Sequence, residues 1–486
     1  MPRAKVARQA VPTLEQRLDR IVSASGIPKS SLGISVVRVN GGETPVYGHR
    51  SKEPMIPASN TKLLTTAAIL DRLGPDFPLA TAFRADGNVE KGTLRGDLVV
   101  VGHGDPGISG RFDPNADPLA IFAGWARALR AKGIGRVEGD LVLDDRYFDR
   151  EFVNSKWPPA GSEHWYQAPV SALSFEDNCI GIRVRPAAAG RPGTVSLVPS
   201  TKTFRIENHV TTVPAGQRNR ARFSVSRPRG SVTIVVGGTV AMGTAPEIVF
   251  VTVDDPPLFF GGVLREVLSA EGIEVTGEVR MAAEPAPAAD RGMEVERHIT
   301  PLRLAVEVCN KRSQNFFAES FVKILGRERR QDGGWTAGLA EIEEALVPFG
   351  LNKGSYVLED GSGISRGNRI SAAQFTTLLA GFQRHRLASL YLGSLCAAGE
   401  EGCGFGRRLR RNGNARNNVF AKTGSIAGAR TLSGYVRGKN GTLFAYSILV
   451  NSPLPNEASV NRLQDAILAA LVDDVLISAN AAGQVN

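Results

Sequence analysis

The sequence predicts an α+β (mixed α/β) protein, and three observations carry that prediction. The first segment reads strand, strand, helix. The last reads two alternating strands and a closing helix, and the middle third is rich in Val, Thr and Ile at alternating spacing. At 486 residues the chain exceeds one ordinary core and is expected to form two or three domains.

The elements follow in order. Leu14, Leu18, Ile21 and Val22 share one helical face over Leu14–Ala24. Residues 32–40 alternate as a strand, and Asn40-Gly41-Gly42 marks a hairpin turn. A helix is expected over 59–73, with Pro57 just ahead of it as a start signal. Two similar strand openings, Gly96-Asp97-Leu98 and Gly139-Asp140-Leu141, flank a helix at 118–132. From about 185 to 238 the pattern is short β runs broken by Pro, Gly and Arg, clearest at 231–236. A helix at 259–271, a strand at 274–280 and a linker at 284–290 come next. Helical periodicity returns over 301–325 and 336–347; strands follow at 431–436 and 443–450, and a helix at 457–476.

Composition narrows the class. Hydrophobic content of 42% with 22% charged residues is ordinary for a globular chain, and the formal charge of +10 suits contact with anionic polymers. The basic residues are not gathered into one helix, so nucleic acid is not an expected partner. No stretch is apolar for the roughly 18 residues a membrane span needs, so membrane contact is at most peripheral. The basic segment 1–15 lacks the apolar run of a secretory signal. Six histidines without a His-Glu-x-x-His pattern give a zinc hydrolase little support, and no cofactor is expected. Of Cys179, Cys309, Cys396 and Cys403, the last two bracket Ala397–Gly402, spaced either to close a small disulfide loop or to remain thiols.

The chemistry sits in Pro57-Ala58-Ser59-Asn60-Thr61-Lys62. A hydroxyl and an amine three residues apart at a helix start share a face, so the Lys62 amine can reach the Ser59 oxygen. A serine hydroxyl becomes nucleophilic when a neighbour takes its proton. Downstream come Ser313-Gln314-Asn315 and then Lys422-Thr423-Gly424. Singly, each element is weak: Ser59 reads as a helix cap, Ser313 with Asn315 as another, and Lys422 as an edge-strand lysine. Decoys occur at Ser320 with Lys323 and at Ser478 with Asn480. Ser320 falls inside an expected helix with no room for a substrate, whereas Lys-Thr-Gly occurs once, between strands. Order and placement favour catalysis.

With these residues in hand the chain resembles the class C low-molecular-mass penicillin-binding proteins, D-alanyl-D-alanine carboxypeptidases/endopeptidases. The likeness extends to Asn310-Lys311 ahead of Ser313, to Asp360-Gly-Ser-Gly-Ile-Ser-Arg366-Gly-Asn368, to Gly104-Asp105-Pro106 and to Trp165-Tyr166-x-Ala-Pro-x-Ser-Ala-Leu. Cys309, Cys396, Cys403 and His103 depart from the family pattern.

The resemblance implies a penicillin-binding-protein/β-lactamase-like transpeptidase domain, an antiparallel sheet flanked by helices, interrupted by two β-rich insertions. That domain is expected at 12–85 and 288–486, one insertion at 86–184 and 239–287, and a nested one at 185–238. It further implies an extracytoplasmic or periplasmic serine DD-peptidase that acts on peptidoglycan stem peptides and is covalently inhibited by β-lactams. Ser59 would be the nucleophile, Lys62 its base and Ser313 the relay to the leaving group. Asn315, Lys422, Thr423, Gly424 and Ser425 would bind substrate, with the N–H groups of Ser59 and Ser425 as oxyanion hole. Asp144 would meet the amine of a diaminopimelate side chain, with Asp145 as its neighbour in register, and Arg366 the distal end of the substrate. A β-lactamase or esterase on the same scaffold, and a non-catalytic wall-binding protein, are the alternatives. A homo-oligomer stays open.

Overall fold

The structure, a computed structural model, describes residues 12–40, 42–159, 163–283, 292–409, 412–454 and 456–474. The linker expected at 284–290, most of the basic segment 1–15 and the decoy at Ser478 and Asn480 lie outside them. The chain divides into two compact units, Met1–Ala68 with Glu307–Ser313 and Glu343–Asn486, and Ile69–Val306 with Gln314–Ile342. Among the described residues no helix is long and apolar enough to cross a membrane.

The first unit is built on an antiparallel sheet. Its strand order is Cys396–Ala397, Val419–Ile426, Ala429–Arg437, Leu443–Asn451, Leu32–Arg38 and Thr44–His49. Leu14–Ala24 opens with a capping box between Thr13 and Gln16, which satisfies backbone donors that a helix end leaves unpaired. It buries Leu14, Leu18 and Val22 in one cluster with Val460, Leu463, Ile467 and Leu471 of the closing helix Glu457–Val472 and with the sheet residues Ile34 and Ile448. A further helix, Ala372–Phe382, packs on strands Leu32–Arg38 and Leu443–Asn451, and Thr376 Oγ1 lies 2.8 Å from Ser35 Oγ.

In the second unit the long strand Pro78–Glu90 pairs antiparallel with Thr93–Gly102 and with Met293–Pro301. Leu141–Asp144 and Val279–Met281 extend the sheet in parallel. Both Pro78–Glu90 and Met293–Pro301 carry residues that the sequence assigns to the flanking domain. Helices Ala120–Ala131 and Pro256–Ala270 bring Phe122, Trp125 and Phe260 together with Phe175 in one aromatic core. Pro256–Ala270 starts three residues before the expected 259, because Asp255 caps it and prolines fit its first positions. Two three-stranded sheets complete the unit. One has the order Glu247–Thr252, Cys179–Arg185, Thr194–Val198; the other has Phe223–Ser226, Thr233–Ala241, Arg205–Val213.

The expected helical stretch at 301–325 is two helices, Leu302–Lys311 and Asn315–Arg330, broken where Ser313 takes φ +56. A left-handed backbone at a residue with a β-carbon is incompatible with continued α-helix.

Asp105, of the Gly-Asp-Pro stretch, is fully buried, and burial pushes its carboxyl up to about 7 even though Gly107 N and Thr300 Oγ1 donate to it. In the unfolded chain it ionises near pH 4, so the unfolded state loses its proton first. The stability this neutral acid contributes is complete below about pH 4 and lost as pH rises through about 7, of order 4 kcal/mol at most. Asp105→Asn is expected to flatten that slope in denaturation measured from pH 4 to 8. An unchanged slope would assign the pH dependence elsewhere.

Candidate active site

The nucleophile candidate stands on a strained turn. Ala58 has φ +47, a conformation that costs on the order of 1–3 kcal/mol for a residue with a β-carbon. Ser59 follows in the 3-10 turn Ala58–Asn60, and the α-helix runs Thr61–Leu73, two residues later than expected. Thr61 Oγ1 donates back to Ala58 O at 2.9 Å and ties the turn to the helix. Ser59 stays partly accessible, whereas Lys62 is wholly buried. Lys62 Nζ lies 3.1 Å from Ser59 Oγ and donates to Ser362 O at 2.7 Å.

The carbonyl that holds Lys62 belongs to a loop fixed from inside. The Asp360 carboxylate accepts from Gly363 N (2.8 Å), Ser365 N (2.6 Å) and Asn368 Nδ2 (2.8 Å). Thr65 Oγ1 adds a bond to Gly361 O at 2.7 Å. Gly363 has φ +88, and a β-carbon there would lie 1.9 Å from Ala58 O. This glycine lets the loop close on the strained turn.

From the other side comes the strand Val419–Ile426. A β-carbon on Gly424 would lie 2.1 Å from Thr431 Oγ1 and 3.0 Å from Ser59 N, so a glycine brings this strand against the serine's own amide. Asn60, buried beneath, bonds Ser433 Oγ at 2.6 Å. With its amide oriented to satisfy both ends, its nitrogen donates to Lys422 O at 2.9 Å. Lys422 Nζ donates to Ser313 Oγ (2.7 Å) and to Thr423 O (3.0 Å). Burial holds the Lys422 amine well below the usual lysine range, and the positive charge of Lys62 adds to that; the Cys309 thiol acts in the opposite sense.

Ser313 is held through its own neighbours. Lys311, two residues before it, pairs with Glu307 (2.8 Å) and Glu400 (2.6 Å). Glu400 lies in the loop that the Cys396–Cys403 disulfide closes, and its Oε2 accepts from Ala397 N at 2.9 Å. Closing so short a loop is worth about 2–3 kcal/mol in the chain-entropy description. Cys396→Ser is therefore expected to lower the unfolding free energy by that amount in denaturant titration. No change would mean that the bridge does not constrain the unfolded chain.

The remaining residues singled out by sequence are dispersed. Thr423 and Ser425 alternate with Lys422 and Gly424 along the strand, with Ser425 exposed. Arg366 is exposed and its Nη1 donates to Ala427 O, in the turn that ends the same strand. Asn315 and Asp144 belong to the second unit. Asn315 opens the helix Asn315–Arg330, and its Nδ2 donates to Tyr166 O at 2.8 Å. Asp144 is engaged by Arg146 Nε at 2.8 Å and by the same guanidinium's Nη2, so an incoming amine would have to compete. Neighbouring Asp145 is buried, with Arg150 Nε 3.5 Å from its Oδ2, and burial raises its carboxyl.

The decoy pair is structural. Ser320 is buried and its hydroxyl donates to Phe316 O one turn back, while Lys323 Nζ sits 4.0 Å from the centre of the Trp335 ring and pairs with Asp149. Sequence reasoning missed Asn60, Asp360 and the Ser362 carbonyl as parts of the site. The signal for the latter two was present in the turn-rich run Asp360-Gly-Ser-Gly.

Comparisons with known proteins follow the same lines. The model of the "D-Ala-D-Ala carboxypeptidase 3 (S13) family" matches residues 14–473. The chain is 34% identical over 472 residues to a D-alanyl-D-alanine carboxypeptidase of Actinomadura sp., an alignment covering 95% of this chain and 84% of that protein. Its fold is similar to the crystal structure of penicillin binding protein 4 (dacB) from Haemophilus influenzae, with a TM-score of 0.79 at 20% identity over 94% of this chain and 99% of that one. The same Haemophilus influenzae protein complexed with a novel β-lactam gives a TM-score of 0.72 at 20% identity, covering 92% and 97%.

Proposed function

Because this chain belongs to the D-Ala-D-Ala carboxypeptidase 3 (S13) family and is a D-Ala-D-Ala carboxypeptidase, we propose that it works through an acyl-enzyme on Ser59. One observation carries this reading. Each of two buried lysine amines lies within hydrogen-bond distance of a serine hydroxyl, Lys62 of Ser59 at 3.1 Å and Lys422 of Ser313 at 2.7 Å.

Ser59 Oγ attacks the carbonyl of the penultimate D-alanine, and Lys62 in its neutral form takes the hydroxyl proton. The terminal carboxylate of the substrate favours the ammonium form of Lys422, and that positive charge in turn favours the neutral, basic form of Lys62. The peptide C–N bond breaks as Ser313 gives its hydroxyl proton to the departing D-alanine amine and takes up in its place the proton that Lys62 received from Ser59. Water then attacks the ester by the reverse proton path and frees Ser59. The N–H groups of Ser59 and Ser425 stabilise the tetrahedral oxyanion, a role typically worth roughly 10²–10³ in rate per donor. Thr423 binds the carboxylate beside Lys422, Asn315 holds the substrate amide, and Asp144 and Arg366 meet the distal part of the stem peptide.

The substrate is peptidoglycan, met outside the cytoplasm, and β-lactams acylate the same serine. Cleavage of cross-links is the same reaction with a longer leaving amine. The test is release of D-alanine from diacetyl-Lys-D-Ala-D-Ala, together with loss of that activity on treatment with a fluorescent penicillin. Turnover that penicillin stops, with a stable label on the protein, is expected. Rapid hydrolysis of the penicillin without peptide cleavage would favour a β-lactamase, and no reaction with either would overturn the reading.

A further inference from the structure

The net charge of the chain is almost entirely local. Residues 179–246 hold ten Lys or Arg against one acidic residue, Glu207, leaving 48 basic and 47 acidic residues for the rest. Nine of the ten are arginine. Arg185, Arg191, Lys202, Arg205, Arg218, Arg220, Arg222 and Arg229 are exposed. The buried Arg227 is spent internally on Asp254, which it grips through both Nη atoms.

The sheet brings two of the arginines to one level, and the turn at its end carries two more. Thr239 pairs with Thr211 in the parallel register of Thr233–Ala241 and Arg205–Val213. On one side Arg222 O accepts from Thr239 N at 2.7 Å. On the other, Pro192 bridges Thr211, and Arg191 O accepts from Thr212 N at 2.9 Å. The 3-10 turn Ala215–Arg220, with Arg218 and Arg220, begins two residues after Val213. One row across the sheet therefore carries Arg191 at one edge and Arg222 at the other, and Arg218 and Arg220 lie on the turn that leads into Arg222. Among the described residues no carboxylate forms an ion pair with any of these four, and Glu207 is turned to His209 Nε2 at 2.7 Å.

Four like charges held together in water repel one another and add nothing to the fold; they attract whatever carries the opposite sign in repeat. We propose that this row of the inserted sheet is a docking surface for a phosphate-bearing anionic polymer attached to the peptidoglycan. Guanidinium forks stay charged at every relevant pH and bind phosphate through paired N–H donors, which suits arginine over lysine. A polymer presents its phosphates in series, so one strand of it can engage all four arginines. The surface would hold the enzyme on its insoluble substrate while the active site works on stem peptides. The proposal rests on the peptidoglycan reading for where the polymer is found, and on no residue of the active site.

The test is co-sedimentation of the whole protein with purified cell walls that carry phosphodiester polymers, with the same walls stripped by hydrofluoric acid, and with vesicles of phosphatidylcholine containing about 30% phosphatidylglycerol. Binding to intact walls is expected to be at least about tenfold tighter than to stripped walls, and to weaken at least about tenfold between about 50 and 500 mM NaCl. The combined variant Arg191→Gln, Arg218→Gln, Arg220→Gln, Arg222→Gln is expected to bind intact walls as weakly as wild type binds stripped ones, with turnover of the soluble peptide retained. Equal wild-type binding to stripped walls, wall binding undiminished in the variant, or tighter binding to vesicles or to a polyglutamate-coated resin would overturn the proposal. Should the variant lose peptide turnover through misfolding, the intact-versus-stripped comparison on wild type decides. Wild-type peptide turnover reports on the active-site reading separately.

Discussion

Ser59→Ala is expected to lower D-alanine release by roughly 10⁴–10⁶-fold and to abolish covalent labelling by penicillin. The size follows from the geometry of the turn. The Ser59 hydroxyl lies beside the buried Lys62 amine, and its own amide is 3.0 Å from the position a Gly424 β-carbon would take. On the proposed mechanism, removing the oxygen removes the nucleophile itself. The fold should be untouched, because the turn is tied to the helix by Thr61 Oγ1, which donates to Ala58 O. Ser320→Ala is the matched control. Its hydroxyl is committed to Phe316 O, and its loss should leave both activity and labelling intact. Retained labelling in Ser59→Ala would put the nucleophile elsewhere.

The second large effect is expected far from any reacting atom. Gly363→Ala places a methyl group 1.9 Å from Ala58 O and 2.3 Å from Ala58 C, on a backbone at φ +88. Either the loop 360–368 backs away, taking the Ser362 carbonyl from Lys62, or the strained turn bearing Ser59 shifts. A displacement of about 1 Å at a catalytic centre can cost on the order of 10² in rate. We expect at least that loss in D-alanine release and a stability loss above about 3 kcal/mol. Gly354 offers the comparison, since it also has a positive φ, +72, but nothing within 4 Å of a β-carbon. Gly354→Ala should cost only the backbone strain, about 1 kcal/mol, and leave activity unchanged. Similar behaviour of the two variants would mean that the loop does not brace the serine turn.

Much of the fold was legible where a single physical signal dominates. Leu14–Ala24 and Glu457–Val472 are amphipathic, and Ala429–Arg437 and Leu443–Asn451 alternate, so their faces could be read directly. Ala372–Phe382 was not legible by period, because Ala, Phe, Leu and Gly surround it on all sides and most of it is buried. Its capping box at Ser371 and Gln374 was the available signal. The break at Ser313 was hidden for the opposite reason. The apolar pattern runs on through two helices, and only a left-handed residue at the junction separates them.

The candidate site divides in the same way. Ser59, Lys62, Ser313, Lys422 and Gly424 lie in short motifs whose spacing carries chemistry. Asn60, with its amide reoriented, and Asp360 act by holding backbone, and nothing in a sequence says which amide or carbonyl a buried polar side chain will find. Asp144 and Arg366 rested on resemblance alone, and Asp144 already has a guanidinium partner in Arg146.

The central claim, that Ser59 is the atom acylated, has one direct measurement. The protein is treated with a β-lactam and digested, and the adduct is located by tandem mass spectrometry. A single added mass on the peptide spanning Ser59, absent from Ser59→Ala, is the expected result. An adduct on Ser313, on Ser320 or on any other residue would contradict it.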